Sequence, residues 1–573
     1  MKCKHFWNII AGFALVVFTV TGLADSNKLS KKLKDKAQGG GNERVSVIVQ
    51  YHAMPDSAEN DRLTGLNAQN KRAYGKLKMR ALEVKASKLS KLANHPKVRF
   101  VTLDNAVESY SQAARVTANM PVKGTDNYSY RGSGVGVAVI DSGVYLHEDQ
   151  DEVGMIQYSF LGGQFNAPGN SQPLSDDFGH GTHVAGVISG DGSNSAKKRN
   201  KGVAKEAPIV SLQVLDSDGR GVVSDVIAAL DWILQYGTAR DLQVVNMSLG
   251  KAVETEAAQD PLVQAVEAVW DAGYVVVCSA GNYGRDGHFT ITSPANSRKV
   301  ITVGSLTYNG TGTDISDDYV STYSSRGPTL HDHVLKPDLV APGNRFIAAI
   351  PEVAQLRTDL PNRVELCSAG NCDDDYLKLS GTSMAAAVVS ATVARMLEKD
   401  PTLSPDTVKA RLMRSARKIA GDPTVVGAGV LDIDAAMNDT GVMTVPALSP
   451  MMALGTDENG STVVLVENSG YLWSDAQWAA GYLWSDGYLW SDGYLWSDGY
   501  LWSDGYLWSD GYLWSDGYLW SDGYLWSDGY LWSDGYLWSD GYLWSDGYLW
   551  SDAVADATPL LDTQSQAITL NDD

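Results

Sequence analysis

From about residue 130 to residue 440 the chain alternates short apolar runs with amphipathic stretches, and that alternation admits few architectures. The runs VGVAVID (135–141), PIVSLQVL (208–215), LQVVNMSLG (242–250), YVVVCSAGN (274–282) and VITVGS (300–305) are each bounded by turn residues. Between them lie VVSDVIAALDWILQYG (222–237) and DPLVQAVEAVWDAG (260–273), whose apolar residues recur at helical spacing. Strands that are apolar on both sides need covering on both faces. The pattern therefore predicts an α/β fold, doubly wound, with a mostly parallel sheet between helices. In such folds ligands sit beyond the carboxyl ends of the strands.

Unusual residues fall at those ends. VAVIDSGV closes a buried strand on Asp141. SAGNYG (279–284) places Asn282 on a glycine-containing turn after another strand. GTSMAAAVVSATVARML (381–397) is a helix pattern with Ser383 at its start, where the helix dipole favours developing negative charge. DFGHGTHVAG (177–186) holds His180 and His183 three apart. Taken singly, the serine reads as an N-cap and the asparagine as a turn residue. The histidine pair reads either as half of a metal site or as a proton carrier for a nucleophile elsewhere.

Taken together, VAVIDSGV, GHGTHVAG, VVNMSLG, SAGN and GTSMA resemble the motifs of the subtilisin-like serine proteases, the subtilase family, with Asp, His and Ser in that family's chain order. SPANS (293–297), YSSRGPT (323–329) and LKPDLVAPG (335–343) are similar to subtilase sequence as well. The resemblance implies Ser383 as nucleophile, His180 as general base and then acid, and Asp141 as the group that holds the imidazole tautomer. It implies an oxyanion hole made by the Asn282 amide and the Ser383 backbone N–H. Ser248, Leu249, Gly250, Ala280 and Gly281 would line the cleft, where backbone groups pair with an extended substrate. His183 becomes a packing or hydrogen-bonding residue of the following helix. No cofactor is needed for this chemistry, no metal ligand is assigned, and structural Ca²⁺ is implied by the resemblance alone. Two positions depart from the family pattern: Ala387 stands where Pro is usual, and Ala391 where Gly is common. Alanine is a good helix former, so the nucleophile helix is expected to survive.

The remainder of the chain divides around this region. MKCKHFWNIIAGFALVVFTVTGLADS has a basic start, a short apolar stretch and small residues after it. Residues 1–24 are expected to be a signal peptide, and the protein to be secreted. Residues 25–41, Lys-rich and ending in three glycines, read as a flexible leader. Val45, Val47 and Val49 alternate as in a strand, 62–93 has helical composition, and VRFVTLD (98–104) is strand-like again. This small α+β unit resembles the family's inhibitor-type propeptide. By that resemblance residues 25–112 would be a propeptide, acting as an intramolecular inhibitor and cut off between about 109 and 120. The subtilase domain would then span 113–440, followed by a linker (441–469).

Cys278 sits in an apolar run and is expected to be buried. Cys367 and Cys372 either close a small loop disulfide in an oxidising compartment or stay as free thiols. GYLWSD occurs at 470–475 and then twelve times without error from Gly481 to Asp552. Asp-Gly is a turn signal, so the repeat is read as β-type, with Tyr and Trp sharing one strand face. It is either a low-complexity expansion, an attachment to a polysaccharide or cell surface through stacked aromatics, or a processing or secretion appendage. Residues 553–573 form a tail without a signal. The net charge of −22 argues against nucleic acid as a partner, although the repeat supplies thirteen of the aspartates. Protein or peptide substrates are the expected partners.

Overall fold

A computed structural model describes residues 28–39, 41–109, 130–150, 155–165, 175–193, 195, 200–308, 318–365, 376–417, 419, 423–456 and 462–466 of the 573. Three short strands within the repeat are also described (512–513, 524–527 and 542–543). The expected signal peptide (1–24), the expected cut between 109 and 120, Cys367, Cys372 and most of the repeat and tail lie outside these residues.

The N-terminal unit comprises α1 (Lys31–Gly39), β1 (Arg44–Tyr51), α2 (Ser57–Gly65), β2 (Gln69–Ala73), β3 (Met79–Lys85), α3 (Leu89–Ala93), β4 (Val98–Leu103) and β5 (Ala106–Ser109). Its first four strands form an antiparallel sheet in the order β2-β3-β1-β4. Two expectations are corrected here. Residues 31–39 are not a loose leader but a helix, because Leu33 is fully buried among Val47, Leu89 and Leu92. The stretch 62–93 is not one helix: its middle forms β2 and β3. MRALEVK places Leu82 and Val84 against Val47 and Val45 of β1, and that cross-strand burial overrides helical composition.

The main domain comprises β6 (Gly136–Asp141), β7 (Met155–Ser159), α4 (His180–Ser189), β8 (Ile209–Gln213), β9 (Arg220–Val222), α5 (Val223–Tyr236), β10 (Leu242–Met247), β11 (Leu249–Gly250), α6 (Pro261–Asp271), β12 (Val275–Ser279), β13 (Ile301–Thr307) and β14 (Tyr319–Val320). It continues through β15 (Leu339–Pro342), β16 (Phe346–Ala349), α7 (Gln355–Asp359), β17 (Tyr376–Leu379), α8 (Thr382–Lys399), α9 (Pro405–Arg414), α10 (Pro423–Val426) and α11 (Ile433–Asn438). The large sheet runs β14-β13-β12-β10-β6-β8-β7, with β15 also on β13. Every pairing in it is parallel except β13–β14. From β6 the chain goes to β7 and β8 on one side and to β10, β12 and β13 on the other. The site lies where the strand order switches direction, as expected for such sheets.

The central strands are apolar because both faces are covered: every residue of β6, β12 and β13 is buried. The helices α5 and α6 pack on each other, and so do α4 and α8. Cys278 is fully buried in β12, and burial pushes its thiol up to about 12, so it behaves as an apolar side chain. Helix α8, which carries Ser383, is unbroken over 18 residues, and Ala387 and Ala391 are both fully buried within it.

The stretch read as a linker from 441 is anchored in its first part. The Met443 and Ala447 amides donate to Thr407 and Asp406 of α9, at 3.1 and 2.8 Å. Ser449 Oγ donates to Asp338, which lies buried between Lys336 and Lys409. A hairpin of β18 (Met452–Thr456) and β19 (Thr462–Val466) follows. Within the repeat, β20 (Tyr512–Leu513) pairs antiparallel with β21 (Tyr524–Ser527), which pairs parallel with β22 (Tyr542–Leu543). Among the described residues no helix is long and apolar enough to cross a membrane.

The N-terminal unit docks on the face of α5 through polar groups. The Asp231 carboxylate accepts from three successive amides, those of Gly75, Lys76 and Leu77, at 2.8, 2.6 and 3.1 Å. Asp104 accepts from both the amide and the hydroxyl of Ser224 at the start of α5, at 2.9 and 2.7 Å. Arg72 pairs with Asp225 at 3.2 Å. Val107 of β5 is buried in the same apolar cluster as the main domain's core.

Candidate active site

Asp141 ends β6, His180 begins α4 and Ser383 lies in the first turn of α8; all three are fully buried. His180 Nδ1 bonds Asp141 Oδ1 at 2.8 Å, and the Ser142 amide donates to the same oxygen at 2.8 Å. A carboxylate on Nδ1 favours the tautomer in which Nε2 is the basic nitrogen. Nε2 itself is buried and has no hydrogen-bond partner. The Ser383 hydroxyl donates to the Ser248 carbonyl at 3.2 Å rather than to that nitrogen. So the sheet edge brings Asp141 and His180 into direct contact, whereas Ser383 is engaged with the neighbouring strand end.

Asn282 follows β12. Its Oδ1 accepts from both the amide and the hydroxyl of Thr382, each at 3.0 Å. With the carbonyl end fixed on α8, the NH₂ is the opposite end of the amide. Gly281, before it, has φ +107°, and a Cβ there would meet Ser325 Oγ and Thr292 Cγ2 at 2.8 Å, so the turn requires glycine. The backbone groups of Ala280 and Gly281 are used within the domain, by Val303, Thr292, Thr382 and Ser325. Leu249 and Gly250 behave differently. They pair with Ser109 and Glu108 of β5, which also pairs with Val222, Gly221 and Arg220 of β9. The edge of the site thus holds a three-stranded antiparallel sheet, β11-β5-β9, whose middle strand comes from the N-terminal unit.

His183 lies away from this constellation. Its Nε2 donates to the Leu377 carbonyl at 3.0 Å, and burial pushes its pKa down to about 3. The imidazole is therefore neutral and committed to a backbone group. Among the described residues no group of three or more His, Cys, Asp or Glu is arranged to hold a metal. Asp317 and the run Asp373 to Asp375 lie outside the described residues.

Three neighbours of the site, Asn246, Thr382 and Ser142, were not singled out by the motifs. Asn246 donates to Ser248 Oγ at 2.9 Å and accepts from Ser390 at 2.8 Å, tying β10 to α8. Ser248 Oγ in turn donates to the Ser383 carbonyl at 3.0 Å. Thr382 fixes Asn282, and Ser142 fixes Asp141. Each reads in sequence as an ordinary small polar residue at a strand end or cap.

The subtilase family model matches residues 132–429, which contain all of these side chains. The chain belongs to the subtilase family of serine proteases. Serine protease AprX of Bacillus subtilis is 35% identical over 371 residues, covering 64% of this chain and 80% of that protein. Subtilisin DY of Bacillus licheniformis is 34% identical over 313 residues, covering 54% of this chain and 92% of its own length. Among solved structures, fervidolysin from Fervidobacterium pennivorans, a keratinolytic enzyme related to subtilisin, aligns with a TM-score of 0.55 at 21% identity. That alignment covers 74% of this subtilase and 68% of fervidolysin, and it shows the shared fold.

Proposed function

We propose that this subtilase is a secreted serine endopeptidase, made as a precursor in which residues 25–112 act as propeptide and inhibitor. The observation that carries the reading is β5, an extended segment of the chain lying antiparallel between β9 and β11. A cleft that accepts one polypeptide as an added strand can take a protein substrate in the same way. Moving from Glu108 to Ser109, the register on β11 moves from Gly250 to Leu249, toward Ser248. Ser248 is the residue whose carbonyl receives the Ser383 hydroxyl.

In this reading Ser383 attacks the scissile carbonyl and forms an acyl-enzyme. His180 Nε2 takes the hydroxyl proton and returns it to the leaving amine. The hydroxyl must first turn from Ser248 toward Nε2; such bonds commonly tighten only once substrate is seated. Asp141 stabilises the imidazolium, and the Asn282 NH₂ and Ser383 N–H receive the oxyanion. Structural Ca²⁺ is implied by the resemblance alone, with no ligand set among the described residues, and no step is routed through it. The short apolar N-terminal stretch before small residues supports export.

Intact-mass and N-terminal analysis of the secreted wild-type protein tests the proposal. The mature chain is expected to begin at one of the bonds soon after Ser109, inside 109–120, and its serine to be labelled by an active-site phosphonate. An active product still carrying residues 28–109 would overturn the propeptide assignment. Replacing Asn282 with Ala is expected to lower kcat by about 10²–10³, with KM little changed, in steady-state kinetics on a peptide substrate. A loss seen only in KM would remove Asn282 from the oxyanion hole.

A further inference from the structure

Asp176 lies four residues before His180, in the segment leading into α4, and the mechanism above gives it no role. Its side chain is buried, with 2% exposure. Oδ1 accepts from Ser142 Oγ at 2.8 Å and from the Gly179 amide at 2.7 Å. Oδ2 accepts from the Thr182 amide and the Thr182 hydroxyl, at 2.8 and 2.7 Å. Among the described residues no salt bridge reaches it.

These four donors come from two places. Gly179 and Thr182 flank His180 at the start of α4. Ser142 follows Asp141 at the end of β6; its amide donates to the Asp141 carboxylate and its hydroxyl accepts from the Gly181 amide at 2.9 Å. The two segments are in close contact here, since a Cβ on Gly181 would meet the Gly143 carbonyl oxygen at 2.0 Å. A helix cap alone needs one or two acceptor sites, which Ser or Asn supplies without burying a charge. Four donors converging on one side chain call for both oxygens of a carboxylate.

We infer that Asp176 is a positioning residue for the Asp141–His180 pair. Its carboxylate clamps the first turn of α4 to the end of β6, so that the imidazole keeps its place on the carboxylate as the proton moves. The inference rests on the serine-protease reading. It adds a residue that touches neither substrate nor the reacting atoms, and acts through Ser142, Gly179 and Thr182.

The test uses the full-length chain, allowed to mature, as wild type, Asp176→Asn, Ser142→Ala and the double variant. Active sites are counted by phosphonate titration, and kcat is expressed per titrated site. Asp176→Asn keeps one oxygen and turns an NH₂ toward two donors. Its kcat per site is expected to fall by about 10²-fold, the scale of an ångström-sized misplacement of a reacting group. KM is expected to stay within about threefold, because transition-state stabilisation rather than ground-state binding is lost. Ser142→Ala removes only the bridge and is expected to lose about tenfold, and the double variant no more than Asp176→Asn, as coupled residues do.

Wild-type kcat per titrated site in both single variants, with merely fewer titratable molecules, would reduce Asp176 to a stabilising cap and overturn the inference. If Asp176→Asn yields no folded protein, Ser142→Ala decides alone by the same criterion. An unlabelled wild type would sink the protease reading, and this inference with it.

Discussion

Replacing Ser383 with alanine is expected to lower kcat by about 10⁶-fold and to leave the purified protein at precursor length. The hydroxyl is the group that would form the acyl bond, and the oxyanion donors cannot replace a nucleophile. The fold should survive. The residue sits in the first turn of an 18-residue helix whose next four residues, Met384 to Ala387, are fully buried. The substitution removes the hydrogen bond to the Ser248 carbonyl, a bond worth about 1 kcal/mol. Intact mass should therefore show an uncut chain with wild-type circular dichroism and no phosphonate adduct. Normal processing of the purified variant would mean that another nucleophile or another protease makes the cut.

Asp141→Asn is expected to lower kcat by about 10⁴-fold while the protein stays folded. Asp141 Oδ1 receives both the His180 Nδ1 and the Ser142 amide, while Oδ2 is buried without a hydrogen-bond partner. An asparagine has two ways to sit there. With its oxygen at the Oδ1 position, the histidine tautomer is kept. The NH₂ is then buried without an acceptor, at a cost of about 1–3 kcal/mol, and the charge that stabilises the imidazolium is gone. With the amide turned over, its NH₂ faces the Ser142 N–H and Nδ1. Nδ1 must then become the acceptor, which moves the ring proton to Nε2, where it blocks proton transfer from Ser383. Both arrangements disable the base. The check is kcat per titrated site at neutral pH; a loss below about tenfold would mean that Asp141 only packs against the ring.

The sequence made the parallel sheet legible because burial on both faces demands continuous apolar runs, and VGVAVID and YVVVCSAGN have few other uses. Its strand ends were equally legible, since an acid or an amide at the close of such a run has no place in a core. The N-terminal unit was harder. MRALEVK has helical composition, and only its partners on β1 and β2 make it a strand. Likewise KKLKDKAQG shows one apolar residue of consequence, Leu33, whose burial needs the tertiary pocket. In the site, Asp141, His180, Asn282 and Ser383 stood out through spacing and resemblance. Ser142, Asp176 and Asn246 did not, because their roles depend on contacts between segments 34 to 144 residues apart.

The strand β5 is tethered by its own chain within the groove formed by β9 and β11. Its local concentration there is fixed by covalent connection, so diluting the protein does not lower it. The first cut would therefore be a solitary event whose half-time is indifferent to how many molecules are present. Clearing the severed segment is a different matter: once the tether is gone the segment leaves by dissociation, or by digestion from an already liberated neighbour. Onset of activity would then accelerate with crowding even though the initial scission does not.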